Sequence, residues 1–354
     1  MILQNLYAIL LMRCLYILSL IVVVSCGDEK SASSFWEASD QIADQRIINS
    51  ILIPSDSLKL SSYGIYQPVG LALYDNHIYI ADRSTQEIVV LDKHSYNLVE
   101  SIQIAKGSGP GEINSLIFDA NYNHFVIMDP TQSKVQLHDV NGNILNEFTG
   151  HVFNSNRLKI YDTNEFIVLS DPLLSDQGGV INRFDFQGGM VSSFGIIERD
   201  VLSSLRSNGY IEIDEYGDIY YAGFAEHIIK KWDSEGELVY SVKTIDYHPS
   251  EVNYLVMGDG EDKIYRYSEF AYMSAIETAI NEDFLFVLHG GISGDRSSPQ
   301  VVDLYNLDNG YYEYSLEFPY RSGIAGLVVN EDLLYRMQIH NNDYYLFIYK
   351  INNA

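Results

Sequence analysis

Cysteine is almost absent from this chain. The 354 residues hold two, Cys14 and Cys26. Everything after residue 26 is therefore without thiol or disulfide and must be stabilised by burial. No C-x-x-C, no H-E-x-x-H pair and no G-x-S-x-G elbow occurs, which removes the usual zinc and serine-hydrolase signatures. The nine histidines are scattered; His77 and His124 fall in turns, His227 and His289 begin loops, and no zinc site is expected from them. Basic residues are few: 22 Lys and Arg stand against 48 Asp and Glu, a net charge of -26. Such a surface repels nucleic acid and anionic lipid headgroups, so neither is an expected partner. Helical periodicity is missing after residue 50. The one long apolar run, residues 15–24, is too short to cross a bilayer without its flanks.

The N-terminus reads as an address. Arg13 precedes the apolar run, and Met12 is a second candidate start. Val23-Val24-Ser25-Cys26 closes it, a small residue before a cysteine after aliphatics. This resembles the lipobox of bacterial lipoproteins, and the resemblance implies cleavage before Cys26 and lipidation (palmitate) of its thiol. Residues 1–25 are then a signal peptide to be left out of the fold. Residues 27–34, polar and small, read as a tether, so that 26–48 form an anchored N-terminal segment. Attachment to the membrane would come from the lipid and not from a basic patch. The acidic pair Asp28-Glu29 is similar to the surface-export signal of some Gram-negative lipoproteins. The expected location is the outer membrane, on its periplasmic side or at the cell surface.

The rest of the chain repeats. Residues 105–148 read as a glycine-rich loop followed by four short strands with Asn and Gly turns between them. The second strand of this unit recurs as Ile78-Tyr79-Ile80, Phe125-Val126-Ile127, Phe166-Ile167-Val168, Ile219-Tyr220-Tyr221, Phe284-Leu285-Phe286 and Leu333-Leu334-Tyr335. The third ends in Leu91-Asp92, His138-Asp139, Phe184-Asp185, Trp232-Asp233, Tyr305-Asn306 and Tyr349-Lys350. The order is kept six times at intervals of about 40–65 residues, which suits four-stranded propeller blades. The expected fold is all-β, a six-bladed β-propeller of four-stranded antiparallel blades over residues 49–354. The last unit lacks a fourth strand, while residues 49–60 hold a spare one, so the N-terminal strand is expected to close the ring beside residues 344–351. Residues 248–270 read as a long loop and not as a seventh blade.

Ile78-Tyr79-Ile80-Ala81-Asp82 followed by Glu87-Ile88-Val89-Val90-Leu91-Asp92 resembles the core of an NHL-type repeat. Gly107-Ser108-Gly109-Pro110-Gly111-Glu112 resembles a loop motif of the six-bladed propeller lipoproteins of Gram-negative bacteria, NHL-like or TolB-like. The resemblance covers about residues 50–351 and implies the fold, with little chemistry attached. The glycines of that loop are spaced as neither a P-loop nor a dinucleotide fingerprint, and a tight crossing between blades is the expectation. Asp82 and Asp129, at the ends of equivalent strands, are expected to cap loop N–H groups.

Six positions fall where a channel mouth would be: Gln67, Glu112, Asn156, Asn208, Tyr272 and Arg321. In metal-dependent lactonases of the gluconolactonase type, which resemble this fold, carboxylates and amides at the mouth hold a divalent metal. That implies an enzymatic alternative here, although Arg321 would oppose a cation. No cofactor is otherwise expected. The main expectation comes from loop asymmetry. Turns such as 74–77 and 234–236 are short, whereas 105–112, 171–179, 195–208, 248–272 and 289–300 are long and rich in acids and tyrosines. Loops carry function more than scaffold turns do. The expected role is non-catalytic binding or scaffolding through the long-loop face. The partner would be a glycan, a peptide or an outer-membrane protein, and the chain itself is expected to be monomeric. A purely structural envelope protein is the third reading.

Overall fold

The computed structural model describes residues 35–150, 157–173, 179–197, 202–247, 254–258, 264–268, 271–292, 299–319 and 326–351. Six antiparallel sheets follow in chain order, covering residues 68–103, 117–149, 157–196, 209–243, 277–318 and 327–350; they are blades one to six. In blades one to five the second and third strands are almost wholly buried, as in His77–Asp82 and Glu87–Asp92. This is why they read as unbroken β-branched and aromatic runs and not as alternating ones. Apolar clusters lie between neighbouring blades; one joins Leu58 and Leu60 to Ile78, Ile80, Met337 and Leu346. The fold is the expected six-bladed propeller, and the longest helices among the described residues are the four-residue turns Leu60–Tyr63 and Ser203–Arg206.

The ring closes as the missing sixth-blade strand required. Strand β1 spans Ile48–Ile51 and strand β2 spans Pro54–Lys59. β2 pairs antiparallel with Asp343–Lys350 and supplies the fourth strand of blade six. Its register shifts at Pro54/Asp56. The outer strands of the other five blades shift near their starts too, at Leu98, Ile144, Met190, Leu238 and Tyr312. A bulge adds one residue and tightens twist. Its presence in β2 marks that strand as the structural equivalent of the others despite its distance in sequence.

The chain is seated on the blades well before β2. Phe35 lies on Trp232 and Tyr221, with ring centroids 6.2 and 6.0 Å away. Ser39 bridges the outer edge of blade four: its N–H donates to Ser241 O and its carbonyl accepts from Lys243 N–H, both at 2.9 Å. Gln41 Oε1 accepts the N–H of Tyr312 at 2.7 Å. β1 then adds a fifth, parallel strand to blade five. Residues 35–59 thus form a belt over the outer edges of blades four, five and six.

The turns between third and fourth strands of blades two, three and four share one device. Asp139, Asp185 and Asp233 each accept N–H bonds from residues two and four further on, at 2.8–3.0 Å. In the same turns Gly142 and Gly188 have φ of 82° and 83°. A Cβ on Gly188 would fall 2.6 Å from the Phe148 ring of the preceding blade, and one on Gly142 2.3 Å from Ile102. Glycine is needed there for conformation and for blade-to-blade approach at once.

The insertion is more ordered than a loop. Tyr254–Met257 and Ile264–Tyr267 pair as an antiparallel hairpin, and Tyr272–Met273 pairs with Gly291–Ile292 of the neighbouring blade. Aromatic residues at both ends of a short span outweigh the charges between them, which had argued for an unstructured connection.

Candidate functional site: the channel and the long-loop face

The innermost strands of successive blades touch around the ring and line a narrow axial channel. A cavity of about 180 Å³ lies along it, bounded by Leu71, Asp119, Lys159, Glu212 and Val328 among others. Blades one and six contribute aliphatic side chains, and blades two to five the charges. Lys159 Nζ sits 2.8 Å from Glu212 Oε2, and Thr278 Oγ1 donates to Glu212 Oε1 at 3.0 Å. Asp119 accepts from Ile160 N–H at 2.9 Å, and Glu277 from Gly326 N–H at 3.0 Å. The Arg157 guanidinium lies over the Tyr210 ring, 3.8 Å from its centroid. Burial works against the Lys159 charge, but Glu212, Asp119 and Glu277 outweigh it and hold the ammonium above its ordinary range. Burial pushes the Glu277 carboxyl up to about 7, against the pull of Arg157, the Gly326 N–H and Lys159. The acids of this channel are engaged with protein donors and cations, an arrangement that braces the ring and gives it one group titrating near neutrality.

At the short-turn end the channel opens into a depression of about 990 Å³ rimmed by Asp214, Glu215, Glu282, Asp283, Glu331 and Asp332. Asp214 is committed to its own turn, accepting from Tyr216 N–H, Asp218 N–H and Tyr220 Oη. Among the described residues no three His, Cys, Asp or Glu side chains are grouped to hold a metal ion.

The opposite face carries the long connections. Four of the channel-mouth positions can be placed. Gln67 is exposed, and its backbone serves the Asp82 carboxylate and Arg83. Glu112 turns back on its own glycine loop and accepts Gly109 N–H at 2.9 Å. The Asn208 carbonyl accepts from Phe224 N–H at 2.9 Å. Tyr272 Oη donates to Asp246 Oδ2 at 3.2 Å. Each is tied into its own neighbourhood. Asn156 and Arg321, like Cys26, lie outside the described residues. Asp82 and Asp129 are fully buried caps: Asp129 takes N–H bonds from Asn114 and Thr131 at 2.6 and 2.9 Å and the Thr131 hydroxyl at 2.6 Å. Burial opposes their charge, but these donors more than compensate and set both carboxyls below the usual range.

The insertion is fastened at its base. Tyr272 stacks on His227 at 5.4 Å and meets His289 edge-on at 5.0 Å. His289 Nε2 lies 3.3 Å from Asp246. Arg46 of the belt reaches the same point, pairing with Asp246 and, through two nitrogens at 2.9 and 2.8 Å, with the buried Asp303. Tyr254 Oη donates to Glu226 and Tyr267 Oη to Leu205 O, both at 2.6 Å. The loop tyrosines are thus mostly anchors. What they hold out is apolar: Leu255, Val256 and Met257, consecutive on the hairpin, are all exposed. Sequence reasoning missed these three; a Leu-Val-Met run among acids was their only signal.

No family model matches this chain. No curated protein is recognisably similar to it in sequence. Among solved structures, a member of the DUF4221 family from Bacteroides vulgatus superposes with a TM-score of 0.55 at 12% identity, over 88% of this chain and 100% of that one. What is shared is the propeller fold. A Bacteroides fragilis protein described as exported matches equally well, with a TM-score of 0.55, 13% identity and 89% and 99% coverage. BamB from Moraxella catarrhalis aligns over 85% of this chain and 100% of its own, at 13% identity and a TM-score of 0.48, too loosely to carry an argument.

Proposed function

We propose that this chain is a lipid-anchored protein of the Gram-negative cell envelope, an outer-membrane lipoprotein attached through Cys26. It binds or scaffolds a partner through its long-loop face without catalysing a reaction. One observation carries the reading: a hairpin clamped at its base by Tyr254, Tyr267, Tyr272 and the Arg46–Asp246 pair presents Leu255, Val256 and Met257 to solvent. A chain gains nothing in folding by exposing such a run, and exposed apolar surface on a stiff support is how docking sites are built. An apolar tip suits a protein partner better than a sugar, and the acidic surroundings favour a basic or neutral one over an anion. The channel is the wrong place for hydrolysis in this reading, since its carboxylates brace the ring.

The test is co-purification from solubilised envelopes. A variant with Leu255→Ser, Val256→Ser and Met257→Ser should fold as the parent does and lose a partner that the parent retains. Metal-dependent lactone hydrolysis by the purified parent, lost on Glu112→Ala, would replace this reading with the enzymatic one.

A further inference from the structure

The belt is fastened in two different ways. β1 and β2 are held to blades five and six by main-chain pairing. Ahead of them the hold is mostly by side chains. Among the described residues, Ser39 alone of residues 35–46 makes main-chain bonds to a blade. Gln41 reaches Gly310 O at 3.3 Å and the Tyr312 N–H at 2.7 Å. Asp40 pairs with Lys243 at 2.6 Å, and Arg46 with Asp246 and Asp303. Ile42 is 75% exposed. A segment with so few backbone bonds opens at a lower free energy than the ring it lies on.

Both ends of this segment reach the supports of the hairpin. At its start the Arg206 guanidinium lies over the Trp36 ring, 4.1 Å from the centroid. Arg206 is bidentate on Glu226, Nε donating to Oε1 at 2.9 Å and Nη2 to Oε2 at 3.2 Å. Glu226 is buried, and its Oε1 also accepts from Tyr254 Oη of the first hairpin strand. The short helix that carries Arg206 offers Leu205 O to Tyr267 Oη of the second strand. At the other end Arg46 shares Asp246 with Tyr272, just past the hairpin. The side chains of Arg206 and Arg46 are still 24 and 21% exposed. Ion pairs so placed are strong only while water is kept from them. Trp36 is the cover of the first pair.

We propose that residues 35–46 are a strap that regulates the hairpin: seated, it stiffens the hairpin for its partner, and lifted, it lets the hairpin loosen. This rests on the reading of the hairpin as the docking element. Trp36 and Arg46 are positioning residues, acting on Leu255, Val256 and Met257 through Tyr254, Tyr267 and Tyr272. A hairpin that must be ordered as it binds gives up affinity to that ordering, so the seated form binds more tightly. Linkage makes the effect mutual, and a partner on the hairpin holds the strap down. Lifting the strap leaves the ring closed, because the pairing of β2 with blade six is untouched. The strap continues N-terminally toward Cys26, so one segment joins the proposed anchor to the proposed docking element.

The test is hydrogen exchange on the full chain in detergent. Amides of Tyr254–Met257 and Ile264–Tyr267 are the readout, and those of His77–Asp82 the reference. Trp36→Ala uncovers the Arg206–Glu226 pair, and Ser39→Pro removes the N–H that the strap donates to Ser241 O. Each should quicken hairpin exchange at least about fivefold and leave the reference strand unchanged. Trp36→Phe, which keeps a ring against Arg206, should exchange as the parent does. Ser39 is exposed, so its variant serves if Trp36→Ala misfolds. In co-purification from solubilised envelopes, Trp36→Ala should retain at least about fivefold less of the partner that the parent holds. The proposal is overturned if both variants exchange at the hairpin as the parent does, if the reference strand quickens as much, or if Trp36→Phe behaves as Trp36→Ala. It is also overturned if a loosened hairpin holds the partner as the parent does. The Leu255, Val256 and Met257 serine variant separates the two readings, since it should lose the partner with hairpin exchange unchanged. If it keeps the partner, the docking reading fails; if it loses the partner and Trp36→Ala does not, the strap fails alone.

Discussion

Replacing Leu58 by alanine probes the closure of the ring. Leu58 is 9% exposed on β2 and shares a cluster with Ile78 and Ile80 of blade one and Met337, Leu346 and Ile348 of blade six. The substitution removes three buried carbons where the blades on either side cannot collapse independently, and it should cost about 3 kcal/mol. For a domain of about 300 residues that corresponds to a drop of about 5 °C in Tm. Circular dichroism at 218 nm would record it, with Leu98→Ala as a control. Leu98 begins the outer strand of blade one, at its bulge, and is 54% exposed, so its loss should stay within about 0.5 kcal/mol. Deleting residues 45–61 goes further, taking away buried Leu52, Leu58 and Leu60 together with the strand pairing. At about 2–3 kcal/mol for each leucine, the loss approaches the whole stability of a typical domain. The deletion should therefore leave no folded ring. If Leu58→Ala melts with the parent, or the deletion melts cooperatively at the parent's temperature, β2 does not close the propeller.

Three further outcomes follow from the same structure. Glu277 holds its proton to about pH 7 when folded and releases it near pH 4.5 when unfolded, so the folded state binds more protons between these values and stability falls as pH rises through them; Glu277→Gln should flatten the Tm profile over that window and melt higher than the parent at pH 8. Gly188→Ala should destabilise by about 2–4 kcal/mol in urea titrations, from a left-handed φ and an overlap with Phe148. Cys26→Ala should leave the chain either unprocessed or in the soluble fraction on envelope fractionation; a processed variant that still sediments with membranes would end the lipoprotein reading.

The parts that could be read from the sequence were those written in local chemistry. The β-branched second and third strands are buried on both sides, so they stand out as runs. The Asp and Gly turns recur because one Asx-type geometry is used repeatedly, and Asp82 and Asp129 could be taken as caps because a carboxylate at a strand end has nearby N–H groups to accept. Closure was readable because one blade was a strand short. What stayed hidden depends on distant partners. Arg46 and Asp303 are 257 residues apart, and nothing near either announces the pair. Phe35 and Ser39 fell in the N-terminal segment set outside the propeller because their partners, Trp232 and Val242, belong to blade four. The channel ion pair of Lys159 and Glu212 forms only because blades three and four adjoin around the axis. The channel-mouth positions were chosen by their place before each inner strand, which fixes where the backbone runs but leaves side chains such as Glu112 free to fold back on their own loops.

Whether the long-loop face is the binding face can be read in living cells by placing a photo-reactive amino acid at Met257, on the exposed hairpin, and separately at Glu235, in a short turn on the opposite face. The binding account predicts a discrete crosslinked adduct from position 257, abolished when Leu255 and Val256 are changed to serine, and none from position 235. Adducts from position 235 alone, or no adduct from either position while purified protein hydrolyses a lactone in the presence of a divalent metal, would contradict it.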